Sequence, residues 1–307
     1  MTSQTTPGSN AERGSGAVTR PGRKHIVEEL IEERAQKLVK SPFWPLYRAI
    51  LYPILKHRQA VAMADAVGAM NGIDGLDHIS NLLKLDISIK GLENVPRDGR
   101  VLIAPNHPTG IADGIAMFDA LKHIRPDQIY FANRDAIRVA PHLEEVLIPV
   151  EWVAEKRTRE RSRETLISTK GAFSDERCIV LFPSGRLAFM DDEKVLTEQE
   201  WMPSIAIFAR KYDCPVIPVH IKARNSWLYY WFWRVNTELR DITLFNELLN
   251  KKGQRFEITF GAPIPASALN GEPADVAAKL RDHTVQDVVV GTPWEPFLEN
   301  VGIKSDN

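Results

Sequence analysis

The sequence predicts an α/β protein, a mostly parallel sheet flanked by helices and preceded by a helical N-terminal segment. Three observations carry this. From residue 84 onward, short apolar runs alternate with helix-like stretches, the pattern of a parallel sheet covered on both faces. Ahead of them, Val27, Ile31, Ala35 and Leu38 recur at helical spacing, while Glu28, Glu29, Glu32, Glu33 and Lys37 fill the other faces. The chain of 307 residues is 44% hydrophobic and 26% charged, enough apolar material for one large domain or two modest ones. That composition excludes a mostly disordered chain, a collagen-like repeat and a multi-span membrane protein. With 39 Lys and Arg against 40 Asp and Glu, it also lacks the basic excess of a dedicated nucleic-acid binder.

Residues 1–24 are rich in Gly, Ser, Thr and Pro and nearly free of large apolar side chains, so they read as a disordered tail. They contain no apolar core of a secretory signal. Residues 25–80 read as a helical arm. Within it, 41–59 is strongly apolar and aromatic, interrupted by Arg48 and closed by Lys56, His57 and Arg58. Pro42, Pro45 and Pro53 prevent one long helix there. The stretch is too short to span a bilayer, and it reads equally as an interfacial anchor or as an arm packed on the main domain. Strands are expected at 85–89, 101–104, 128–132, 146–150, 178–182, 215–221 and 256–260, and helices at 114–123, 159–172 and 203–212. These make up a main domain over 81–290, followed by a C-terminal tail over 291–307. Cys178 and Cys214 lie far apart in apolar runs and read as reduced core thiols. No stretch offers about 18 consecutive apolar residues, so a cytosolic or membrane-surface location is expected.

In parallel sheets the chemistry gathers in loops leaving the strand C-terminal ends. The first such loop runs Pro105-Asn106-His107-Pro108-Thr109-Gly110-Ile111-Ala112-Asp113. If it folds back at Gly110, Asp113 holds one imidazole nitrogen of His107 and leaves the other to take a proton from a hydroxyl. A buried histidine beside an unrelated N-cap aspartate is the alternative. The second loop carries Phe182-Pro183-Ser184-Gly185-Arg186, in which Gly185 permits close backbone approach and Arg186 suits an anionic group. Ser184 is not a nucleophile elbow, because Phe182 and Arg186 occupy the positions that need glycine. Between these loops, Lys156, Arg157, Arg159, Arg161 and Arg163 alternate with Glu155, Glu160 and Glu164. The pattern suits a salt-bridged surface or, for one or two of the cations, phosphate capture.

Taken together, NHPTGIAD at 106–113, FPSG at 182–185, CPVIPV at 214–219 and FGAPI at 260–264 resemble the glycerolipid acyltransferase family in order and spacing, over roughly residues 84–266. The aromatic stretch at 224–253 further resembles a bacterial branch that includes hemolysin-like and aminolipid-forming acyltransferases. The resemblance implies a mostly parallel mixed sheet. It also implies acyl transfer from an acyl thioester, acyl-CoA or acyl-carrier protein, to the hydroxyl of a lysophospholipid such as 1-acyl-glycerol-3-phosphate. His107 would be the general base and Asp113 its orienting partner. Asn106, Pro108, Thr109 and Gly110 of the first block would bind substrate, as would Phe182, Pro183, Ser184 and Gly185 of the second with Arg186 after it. No metal or other cofactor is implied, and nucleic acid is not an expected partner.

The sequence departs from the family pattern at three points. Five residues separate His107 from Asp113 where four are usual. Ser184 stands where Glu is usual, which leaves a lyso-aminolipid acceptor open. The strand at 147–150 runs into Glu151 and Trp152 instead of an Arg, leaving Arg134, Arg138 and Arg157 as candidate phosphate ligands; Arg134 is placed with the substrate-binding residues. An acyl ester or thioester hydrolase and a catalytically silent lipid-binding protein of the same fold are the alternative functions. The expected location is peripheral, on the cytoplasmic face of a membrane. There the aromatic run from Trp227 to Trp233, closed by Arg234, would meet the interface.

Overall fold

The computed structural model describes residues 24–151 and 156–296. The expected tail over 1–23, residues Trp152 and Glu155, and 297–307 of the expected C-terminal tail lie outside them. Strands β1 (Asp86–Lys90), β2 (Val101–Pro105), β3 (Ile129–Asn133), β4 (Leu147–Val150), β5 (Cys178–Val180), β8 (Val216–Lys222) and β9 (Arg255–Phe260) form a seven-stranded sheet in the order β1-β9-β8-β2-β5-β3-β4. Strands β6 (Phe189–Met190) and β7 (Leu196–Thr197) form a separate small hairpin. Every neighbouring pair in the large sheet is parallel except β8 with β9. The sheet is therefore mostly parallel and mixed, and β2, β3, β4, β5 and β8 all end at one edge.

The central strands are buried on both faces, so they read as apolar runs and not as alternations. Strand geometry nevertheless divides their side chains between two cores. Val101, Ile103, Cys178, Val180, Ile217 and Val219 face one side. There they pack with α4 (His57–Gly68), α5 (Gly72–Leu83), α6 (Ile111–Leu121) and α12 (Leu244–Leu249). Leu102, Ala104, Ile179 and Val216 face the other side, against α8 (Arg159–Ser174), α9 (Ser204–Lys211) and α13 (Pro273–Asp282). Both cysteines are fully buried and unpaired, and burial pushes each thiol up to about 12.

Pro218 lies inside β8, where a missing N–H normally weakens a ladder. It falls just past the last paired residues of β9, Val219 with Phe260, and next to Gly261. Gly261 donates its N–H to the Pro218 carbonyl at 2.8 Å. A Cβ on Gly261 would stand 2.8 Å from the Pro218 ring. The CPVIPV and FGAPI blocks are thus two halves of one strand closure. The first block runs up β8 to Val219, which pairs with Pro105 at the end of β2.

The N-terminal segment forms α1 (Ile26–Arg34), α2 (Gln36–Val39) and α3 (Trp44–Ile54) ahead of α4 and α5. Val27, Ile31, Trp44, Met63 and Val67 belong to the same apolar core as Ile115 and Phe118 of α6, so the inner face of the arm is core material. The prolines act as expected in 41–59. Pro45 is tolerated in the first turn of α3, Pro53 sits in its last turn, and Lys56 in the left-handed conformation separates α3 from α4. The outer face of α3 is another matter: Phe43, Leu46, Ile50 and Ile54 are all more than half exposed.

The aromatic run forms α10 (Trp227–Val235), followed by α11 (Thr237–Ile242). Its period divides the rings. Tyr229, Tyr230 and Phe232 are buried, while Trp227 and Trp231 are exposed and stacked, with centroids 5.9 Å apart. Trp233 turns inward, stacking on Phe189 and lying under the Arg240 guanidinium. No helix among the described residues is long and apolar enough to cross a membrane.

Candidate active site

Asn106 and His107 follow directly on β2 at the edge where the five parallel strands end. The Asn106 amide is turned to the neighbouring strand: its Nδ2 donates to the Ile221 carbonyl at 3.1 Å and its Oδ1 accepts the Ile221 N–H at 2.6 Å. This side chain clamps β2 to β8 just before the chain leaves the sheet. The next turn reverses at Gly110, whose φ of +95° suits glycine and whose close neighbour is the Leu187 side chain. Helix α6 starts at Ile111, earlier than the sequence suggested, which puts Asp113 in its first turn.

That turn closes the five-residue gap. His107 Nδ1 lies 3.0 Å from Asp113 Oδ2. The same oxygen accepts the Thr109 N–H at 2.8 Å and the Gly110 N–H at 2.9 Å, and Asp113 Oδ1 accepts the Thr109 hydroxyl. Asp113 is wholly buried and the His107 side chain is 16% exposed. A carboxylate accepts, so Nδ1 carries the proton and Nε2 offers its lone pair outward. Thr109 and Gly110 thus serve the aspartate.

Strand β5 pairs with β2, which brings the FPSG loop beside the histidine. The Phe182 ring lies 4.3 Å from the His107 ring, centroid to centroid. The Pro183 carbonyl accepts the Met202 N–H, and the Ser184 hydroxyl donates to the Arg186 carbonyl at 2.8 Å. Gly185, at φ +59°, makes the turn, and Ala188 donates its N–H back to the His107 carbonyl at 2.9 Å. The Arg186 guanidinium is exposed, with no hydrogen-bond or ion-pair partner among the described residues.

The other candidate arginines, Arg134, Arg138 and Arg157, are committed. Arg134 follows β3, two strands and so about 10 Å across the sheet from β2, and pairs with Glu164 at 2.7 Å. Its Nε is buried without a partner. Arg138 bridges Glu33 and Asp135, and Arg157 donates to the Glu151 carbonyl. Arg161 pairs with Glu151 and Lys156 with Glu33, so these two cations form the salt-bridged surface.

A cleft of about 500 Å³ opens beside the histidine, lined by Asn106, Pro108, Ala188, Glu198 and the β8 end from His220 to Ala223. Arg281 and Gln286 close its far side. The part of β8 that lines it lies beyond the CPVIPV block. Burial lowers the pKa of His220 and raises that of Glu198; the hydrogen bond from the His107 N–H opposes the latter shift. Glu198 carries no recognisable signal in the sequence. It lies in the polar run LTEQE with Glu200 two residues on, and the β6–β7 hairpin carries it back to the site. Among the described residues, no group of three or more His, Cys, Asp or Glu side chains is placed to hold a metal ion.

Part of the chain is similar to known proteins. Residues 86–222, which span β1 to the end of β8, match the family model described as Acyltransferase. A lyso-glycine lipid O-acyltransferase of Phocaeicola vulgatus is 27% identical over 201 residues, covering 63% of this chain and 70% of the relative. Its namesake from Bacteroides thetaiotaomicron is 24% identical over 219 residues, covering 69% and 78%. The crystal structure of the 1-acyl-sn-glycerophosphate acyltransferase PlsC from Thermotoga maritima matches at a TM-score of 0.44 and 14% identity, over 86% of this chain and 99% of that one. Over residues 86–222 the chain is similar to the acyltransferase family, and over a longer stretch to these lipid O-acyltransferases.

Proposed function

We propose that this protein transfers a fatty acyl group from an acyl thioester to the hydroxyl of a lyso-lipid, with His107 as general base. The carrying observation is the His107–Asp113 pair, which occupies Nδ1 and leaves Nε2 for the acceptor, between Asn106 and Pro108 of the cleft wall. As the acceptor oxygen attacks the thioester carbonyl, its proton passes to Nε2, and Asp113 stabilises the imidazolium. Collapse of the tetrahedral intermediate breaks the C–S bond. The departing thiolate takes the proton from Nε2, leaving an ester and a free thiol. General-base assistance of this kind contributes about 10²–10⁴-fold. The unpaired Arg186 is suited to hold an anionic group of acceptor or donor, a task for which the paired Arg134 is less free.

The names of the two bacterial relatives favour a lyso-aminolipid as acceptor over lysophosphatidic acid. Such substrates lie in a bilayer, and the exposed apolar stripe of α3 with the stacked Trp227 and Trp231 suits peripheral attachment there. On this reading the protein works at the cytoplasmic face, drawing acyl-CoA or acyl-carrier protein from solution. The test is to incubate the purified protein with each thioester, with and without lyso-glycine lipid or lysophosphatidic acid, and to follow products by mass spectrometry. Transfer to the lyso-glycine lipid supports the proposal. Acceptor-independent thiol release points to a hydrolase, and no turnover with any pair points to a silent lipid binder.

A further inference from the structure

We infer that Glu198 is a positioning residue for the reaction: its carboxylate holds the main chain of His107 so that the imidazole faces the acceptor. The inference rests on the reading of His107 as base, and it assigns a role to a residue outside all four sequence blocks.

The main chain makes the argument. The Asn106 N–H bonds to the Val219 carbonyl, the last ladder contact between β2 and β8. One residue later the His107 N–H has left the sheet, and Glu198 Oε2 accepts it at 3.0 Å. The His107 carbonyl is taken by the Ala188 N–H at 2.9 Å. Both partners come from the segment that follows β5. The catalytic loop is therefore pinned by a different part of the chain from the one that builds it. With Nδ1 tied to Asp113 and the main chain tied to Glu198, the ring has an anchor at each end.

The anchor requires a carboxylate. Glu198 Oε1 accepts the Trp201 indole N–H at 3.2 Å while Oε2 accepts the histidine N–H, so both oxygens act as acceptors. Glutamine has one acceptor oxygen, and its NH₂ would face an N–H donor at one of the two contacts. Ser184, 5% exposed, lies against the same carboxylate, and its small side chain leaves the room that Glu198 fills.

The test uses the full-length protein, palmitoyl-CoA and lyso-glycine lipid in vesicles, with Glu198→Gln, Trp201→Phe and the double variant. A displaced base costs rate and not affinity. E198Q is therefore expected to lower kcat about 10- to 100-fold with KM for both substrates within about twofold. In E198Q/W201F the indole donor is gone, so the glutamine oxygen can turn to the His107 N–H. The double variant should recover kcat several-fold over E198Q. If E198Q fails to fold, Glu198→Asp keeps both acceptors but draws them back, and kcat should fall with KM unchanged. Full kcat in E198Q or E198D overturns the inference, as does a double variant no better than E198Q. An active His107→Ala variant would instead overturn the underlying reading of the base.

Discussion

The carboxylate of Asp113 lies 3.0 Å from His107 Nδ1 although five residues stand between them in the chain. The reversal at Gly110 and the early start of α6 absorb the extra residue, and two backbone N–H groups of the turn converge on the same oxygen. Spacing that departs from the family pattern is thereby reconciled with a closed pair.

Asp113→Asn separates geometry from charge. The asparagine oxygen can replace Oδ2, and its NH₂ can donate to the Thr109 hydroxyl, which is able to accept, so the fold should persist. The neutral amide no longer stabilises an imidazolium, and kcat should fall about 10³–10⁴-fold, as for other orienting carboxylates. Steady-state kinetics with a thermal melt checks both halves; near-normal kcat would contradict the role given to Asp113.

Gly110→Ala tests the turn. An alanine there must adopt φ of +95° and place its Cβ 3.1 Å from Leu187 Cδ2. Strain of this kind costs about 1–3 kcal/mol. The loss should appear as a lower urea midpoint together with a lower kcat, since the same turn aims Asp113 at the histidine.

The outer face of α3 gives a prediction about membranes. Leu46 is 58% exposed and Ile50 is 55% exposed, one turn apart on the same stripe. Replacing both by Ser should remove about 1 kcal/mol of interfacial burial each and weaken vesicle partitioning about tenfold or more. A parallel loss is expected for Trp227→Ser with Trp231→Ser, whereas Trp233 lies against Phe189 and is the wrong ring to remove. Sedimentation with anionic liposomes measures both.

Acid stability should depend on Glu33. Hydrogen bonds from Arg138 and then Lys156, opposed by partial burial, hold its carboxyl down to about 2 from an ordinary value of 4.5. A depressed carboxyl stabilises the fold above its unfolded pKa, and this contribution is lost as pH falls from about 4.5 through 2. The urea-midpoint gap between the native protein and Glu33→Gln should therefore be open at neutral pH and close in that window, and shrink in high salt.

The layered fold and most of its strands were legible because buried parallel strands leave continuous apolar runs such as VLIA and CIVLF. The His107–Asp113 pair was legible too, since its members stand six residues apart across one loop and the first turn of α6. The hairpin β6–β7 was not: its strands are two residues each, too short for a period to show. Glu198 depends on that hairpin and went unseen with it. The aromatic run was visible as composition, but only its helical period shows that Trp227 and Trp231 face out while Tyr229, Tyr230 and Phe232 fill the core.

The most direct test of the account is single-turnover acyl transfer by His107→Ala, with palmitoyl-CoA and lyso-glycine lipid in vesicles. The variant should keep the thermal midpoint and vesicle binding of the native protein, because Asp113 retains its Thr109 and Gly110 donors when the imidazole is lost. It should form ester at least about 10²-fold more slowly. Ester formation at the native rate would contradict the assignment of His107 as the base.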